Sequence, residues 1–114
     1  VEEILYWKPP LADAHPAGEY FALQISGDSM APRMQPGDVV IVRRQEDCTS
    51  GEVAVVLVGD SEATVKRVKK DAGGLRLLPN NPAYAPLCFS WAEVASTPVR
   101  LLGVVVELRG KSAF

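Results

Sequence analysis

The residue best placed for covalent chemistry is Ser29, set in Ser26-Gly27-Asp28-Ser29-Met30-Ala31-Pro32-Arg33-Met34-Gln35-Pro36-Gly37-Asp38. Gly27, Gly37, Pro32 and Pro36 are turn formers, so the hydroxyl sits in a stiff bend rather than on a loose tether. Two readings fit these residues: a serine that merely satisfies its own turn, or a nucleophile. A serine hydroxyl is a weak nucleophile and needs a base. The single histidine, His15, stands in Asp13-Ala14-His15-Pro16 and reads as a loop residue, so no Ser-His-Asp triad is apparent.

The alternative base is a lysine. In Thr64-Val65-Lys66-Arg67-Val68 strand alternation puts Thr64, Lys66 and Val68 on one face and Val65 and Arg67 on the other. Lys66 is therefore set among apolar neighbours, whereas Lys69 and Lys70 run out towards solvent. Either its amine snorkels to the surface, or the site has a use for it. A lysine acts as a base only when neutral, and at its ordinary pKa of about 10.4 only ~0.04% is neutral near pH 7. Burial disfavours the ammonium and lowers that pKa by up to ~3–5 units. Thr64, two residues back on the same face, is in place to hydrogen-bond the amine and aim it.

These residues need a scaffold, and the chain reads as mostly β with little helix. Tyr20–Ile25, Asp38–Arg44, Glu52–Val58, Glu62–Lys69, Leu75–Leu78 and Arg100–Leu108 are strand-like runs punctuated by glycine, proline and polar turns. The apolar run in Asp38–Arg44 predicts burial on both faces. Gly59-Asp60-Ser61 reads as a hairpin connection, and Pro79-Asn80-Asn81-Pro82 as a firm strand end. Ile4–Trp7 reads as a short strand or packing arm, Tyr84–Phe89 as a further extended piece, and Ser90–Ser96 as a turn or short helix. Gly103 marks a bulge in the last strand.

Composition bounds the rest. With 114 residues, 47% hydrophobic and 23% charged, the chain suits one folded domain with a modest core. A net charge of −2 gives no general footprint for nucleic acid, and Lys66-Arg67-Val68-Lys69-Lys70 is too short to make one. Cys48 and Cys88 form no CxxC and are expected as reduced thiols. No metal-ligand cluster, cofactor motif, leader or apolar run of about 18 residues is present. A cytoplasmic protein without membrane anchor, metal or cofactor is expected.

Gly27-Asp28-Ser29-Met30, Pro32 and Pro36-Gly37-Asp38 before an apolar strand resemble the nucleophile region of the LexA-like peptidases, and Thr64-Val65-Lys66-Arg67-Val68 resembles their lysine strand at the matching separation. Leu77–Tyr84 and Leu102–Val105 are similar to later segments of that family. The likeness spans roughly residues 20 to 108. It implies a compact LexA-like catalytic-domain fold, residues 20–110 forming a peptidase and dimerisation domain. Residues 1–19 would be an arm left after a cleavage region, and 111–114 a tail. It implies a Ser29–Lys66 dyad, with the amides of Asp28 and Ser29 as oxyanion donors. Gly27 would close the turn and Met30 would pack beneath it.

The family comprises LexA, the cleavable phage repressors and the UmuD proteins, which cut their own chain under stimulation by a RecA–single-stranded-DNA filament and form homodimers. Repressors bind operator DNA through an N-terminal domain, which is expected to lie outside residues 1–114. The family's scissile Ala-Gly or Cys-Gly bond would fall upstream of Val1. Ala17-Gly18 lies too near Ser29 and Ala72-Gly73 sits in a hairpin turn. The leading expectation is the self-cleaving domain of a LexA-like or prophage repressor. The alternatives are a UmuD-like polymerase accessory subunit, a signal peptidase and a domain that only dimerises. The edge of Arg100–Leu108 is the expected dimer surface.

Overall fold

The structure, a computed structural model, describes residues 3–5, 19–59, 62–96 and 99–110. Runs rich in β-branched and aromatic residues, separated by glycine and proline turns, give a mostly β protein. Its strands are β1 (Glu3–Leu5), β2 (Tyr20–Gln24), β3 (Val39–Arg44), β4 (Val53–Val58), β5 (Glu62–Asp71), β6 (Gly74–Leu78), β7 (Leu87–Ser90) and β8 (Val99–Arg109). One short helix, α1 (Trp91–Ser96), precedes β8. The strand expected near Ile4 is found as β1; His15, Ala17-Gly18 and the tail 111–114 lie outside the described residues.

All strands join one antiparallel sheet in the order β1-β2-β3-β8-β4-β5-β6-β7. Chain neighbours are sheet neighbours except where β8 enters between β3 and β4. The halves of β8 have different partners: Gly103 to Arg109 pair with β3, and Val99 to Val104 with β4. Gly103 thus faces Arg44 on one side and Val55 on the other. A Cβ there would meet the Arg43 carbonyl oxygen at 2.4 Å, so the close approach admits only glycine. Register shifts at Ile41/Val42 and Val55/Val56 leave Val106 and Leu102 as the extra residues of β8, so the bulge expected at Gly103 falls on its flanks while Gly103 itself is paired on both sides.

This topology corrects one expectation. Arg100–Leu108 is not an edge strand: β8 is central, and only the part beyond Val104 lacks a partner strand on the β4 side among the described residues. Val106 and Leu108 are 41% and 46% exposed there.

Both faces of the central strands are buried. On one face Phe21, Leu23, Val40, Val42, Val55 and Val65 pack together. On the other Ala54, Val56, Val68, Leu77 and Val104 do so. Each larger side chain so buried contributes about 1.5–3 kcal/mol of transfer free energy. The candidate site forms where β5 passes between these two clusters.

Candidate active site

Ser29 is carried by the loop that joins β2 to β3. The neck of this loop continues their ladder: the N–H of Ile25 donates to Asp38 O (2.8 Å) and that of Gly37 to Ile25 O (2.6 Å). Gly37 takes a left-handed φ of 91° at this closure, whereas Gly27 takes no positive φ. The turn's left-handed backbone therefore sits at Gly37. Inside the loop the Met34 N–H donates to Met30 O, forming a helical turn. Met30 is 2% exposed and, with Met34, plugs into the first cluster beside Val65. Two buried thioethers anchor the loop, so Ser29 is held on a packed cap rather than a mobile tether.

β5 carries the lysine. Its register sets Lys66 opposite Ala54 and Thr64 opposite Val56, both on the face of the second cluster. β6 pairs only with Arg67 to Asp71, because Pro79 ends it after Leu78. The stretch from Ala63 to Lys66 thus has no strand on that side among the described residues, which leaves room for the Ser29 loop. Lys66 is only 8% exposed and is the one buried polar side chain among the described residues. Its amine donates to Ser29 Oγ (2.9 Å), Thr64 Oγ1 and Val65 O (3.1 Å). Snorkelling, the ordinary fate of a strand lysine, is not what this side chain does.

The structure therefore brings together Ser29, Lys66 and Thr64, with Met30 beneath. It also brings in a segment that the sequence did not mark as part of the site. The backbone N–H groups of Asn80 and Asn81 both donate to Ser29 O at 2.9 Å. Asn81 Nδ2 donates to Asp28 O (3.1 Å), and the Tyr84 hydroxyl donates to the Asp28 carboxylate. That bond, with the carboxylate's negative charge, pushes the Tyr84 phenol above its ordinary range. The only available signal was the rigid Pro79-Asn80-Asn81-Pro82 turn. Among the described residues no group of three or more His, Cys, Asp or Glu could hold a metal ion.

A hydroxyl and a buried amine in hydrogen-bond reach, on an antiparallel β scaffold, have the makeup of a serine–lysine hydrolase site. Comparison with known proteins agrees at the level of the family. The chain belongs to the Peptidase S24-like family, whose model matches residues 1–106. It is 43% identical over 95 residues to the LexA repressor of Desulforamulus reducens, covering 82% of this chain and 41% of that protein. It is 41% identical over 86 residues to the LexA repressor of Bifidobacterium adolescentis (75% of this chain, 33% of that protein). For the LexA repressor of Cereibacter sphaeroides the identity is 35% over 89 residues (77% and 39%). The chain spans less than half the length of these curated relatives. No described helix is long and apolar enough to cross a membrane.

Proposed function

We propose that this chain is the self-cleaving, dimerising domain of a LexA-like transcriptional repressor, with Ser29 as nucleophile and Lys66 as general base. The observation that carries this reading is the 2.9 Å separation of Lys66 Nζ and Ser29 Oγ at a lysine that is 8% exposed. A buried amine favours its neutral form. In that form the hydrogen bond reverses, and the serine hydroxyl donates to the nitrogen lone pair. Ser29 Oγ attacks the scissile carbonyl carbon while its proton passes to Lys66. The oxyanion is met by the backbone amides of Asp28 and Ser29. Lys66 returns the proton to the leaving amine as the C–N bond breaks, leaving an acyl-enzyme. Lys66 then takes a proton from the water that hydrolyses the ester.

By resemblance the scissile bond lies upstream of Val1, a RecA–single-stranded-DNA filament stimulates cleavage, and operator DNA is held by an N-terminal domain. The protein acts in the cytoplasm as a homodimer. The LexA repressor names of the relatives favour this role over a UmuD-like accessory subunit. The test is self-cleavage of the full-length gene product followed by gel from pH 7 to pH 10. The rate is expected to rise as Lys66 loses its proton, and Ser29→Ala and Lys66→Ala each to stop it. Undiminished cleavage in either variant overturns the assignment.

A further inference from the structure

Three consecutive carbonyls around the candidate nucleophile are tied to one short segment. Asp28 O accepts from Asn81 Nδ2 (3.1 Å) beside the Ala31 N–H of its own turn (3.1 Å), Ser29 O from the N–H groups of Asn80 and Asn81 (2.9 Å each), and Met30 O from the Met34 N–H (3.0 Å) with Asn80 Nδ2 at a longer 3.5 Å. In a trans peptide the C=O and N–H of one plane point in opposite directions. Fixing the Asp28 carbonyl therefore fixes the Ser29 N–H, and fixing the Ser29 carbonyl fixes the Met30 N–H. Both N–H groups are aimed away from the Asn80–Asn81 segment. Neither donates to a protein acceptor among the described residues. The segment is itself braced, since Asn81 Oδ1 accepts from the Ala83 N–H (2.9 Å) and the Tyr84 hydroxyl holds the Asp28 carboxylate.

We propose that Asn81, seconded by Tyr84, is a positioning residue that clamps the Asp28–Ser29 peptide plane so that the Ser29 N–H points at the developing oxyanion. The proposal rests on the Ser29–Lys66 reading, and Asn81 touches neither the substrate nor the reacting atoms. A donor worth about 10²–10³ in rate when present loses much of that value when its direction is free to vary. The sequence distance between Asn81 and Ser29 is long, so the clamp couples the end of β6 to the β2–β3 loop.

The test uses self-cleavage of the full-length gene product as a function of pH, alongside its thermal midpoint. Asn81→Asp keeps the acceptor for Ala83, removes the donor and adds a negative charge; Asn81→Ala removes donor and acceptor and adds no charge. Both are expected to lower the alkaline plateau rate about tenfold to a hundredfold, at temperatures where each variant is folded. Asn81→Ala is expected to leave the pH midpoint set by Lys66 where it was. Tyr84→Phe is expected to lower the plateau by a smaller factor with the same midpoint. A merely structural role predicts a lower thermal midpoint with an unchanged plateau, and that result overturns the proposal. So does an Asn81→Asp plateau equal to that of the unaltered protein. Cleavage that survives Ser29→Ala or Lys66→Ala instead overturns the dyad reading, so the two failures are told apart.

Discussion

Lys66 and Lys70 lie on the same strand and point to the same side of it, yet they meet opposite fates. Lys66 is 8% exposed and its amine donates to the oxygens of Ser29, Thr64 and Val65. The Lys70 side chain is 28% exposed and pairs with the Asp47 carboxylate, itself 82% exposed. The difference lies in what flanks each half of β5. Beyond Arg67 the strand is paired by β6 and the turn through Asp47 lies nearby, so a carboxylate meets the ammonium. Before Arg67 the β6 side is vacated by the Pro79 break, and a serine meets the amine instead. One residue type becomes an ordinary surface ion pair or a candidate base according to where a neighbouring strand stops.

The sharpest way to break this comparison is to remove each lysine. Lys66→Ala is expected to abolish self-cleavage of the full-length gene product, a loss on the order of 10³-fold or more for a residue acting as one unit with its nucleophile. Lys70→Ala is expected to leave the rate within about twofold, because an exposed pair contributes at most about 1 kcal/mol. Equal losses in the two variants would mean that the strand's charge rather than the buried amine matters.

The next effect is on the scaffold that holds both lysines. Gly103→Ala places a Cβ 2.4 Å from the Arg43 carbonyl oxygen and 2.6 Å from Val42 Cγ1. Backbone cannot yield as a side-chain end does, so the variant is expected to lose about 1–3 kcal/mol. That corresponds to a fall in thermal midpoint on the order of 10 °C. In the fraction that remains folded, the Ser29–Lys66 chemistry should be intact. A midpoint unchanged in calorimetry would show that β3 and β8 can move apart at no cost.

A smaller effect is expected at Thr64, whose hydroxyl is a partner of Lys66 alone in this pair. Thr64→Val removes an acceptor that favours the ammonium, so the midpoint of the pH–rate profile should move down. The plateau should fall by up to about tenfold, the equivalent of one hydrogen bond, because the amine is no longer aimed. A plateau that rises would show that Thr64 restrains the base rather than positioning it.

Much of this was legible in the chain because its signals are local. Period-2 alternation placed Thr64 and Lys66 on one face, and the register opposite Val56 and Ala54 agrees. The apolar run in β3 announced burial on both faces, and Gly103 announced an irregular last strand, although the extra residues are Leu102 and Val106. Other features needed three dimensions. The central place of β8 follows from strand order, to which alternation is blind. That Gly37 is the glycine to turn left-handed follows from the neck hydrogen bonds to Ile25, which no local pattern shows. Asn81 and Tyr84 were invisible as neighbours of Ser29 since no local pattern spans that separation. One missed local signal is Ser90-Trp91-Ala92-Glu93, where the Ser90 hydroxyl accepts from the Glu93 N–H and the Glu93 carboxylate from the Ser90 N–H. This reciprocal cap fixes the start of α1, and the hydrogen bond from the Ser90 N–H, followed by the Ser90 side chain, holds the Glu93 carboxyl below its ordinary range.

The smallest effect tests the other half of the comparison, the exposed pair. The hydrogen bond from Lys70 comes first in holding the Asp47 carboxyl below its ordinary 3.8, followed by the Cys48 N–H and the lysine's charge. A carboxyl whose pKa is depressed on folding stabilises the native state above its unfolded value, and that contribution is lost as the pH falls through the lower folded value. Asp47→Asn should therefore cost stability at pH 7 and nothing at about pH 2, where both proteins carry a neutral group. At 82% exposure the pair is screened by solvent, so the cost at pH 7 should stay below about 1 kcal/mol and shrink further in 1 M salt. Urea midpoints of the two proteins at both pH values measure it. A penalty that persists at low pH would assign Asp47 a packing role, and a penalty of several kcal/mol would mean that Lys70, like Lys66, is held in a site that excludes water.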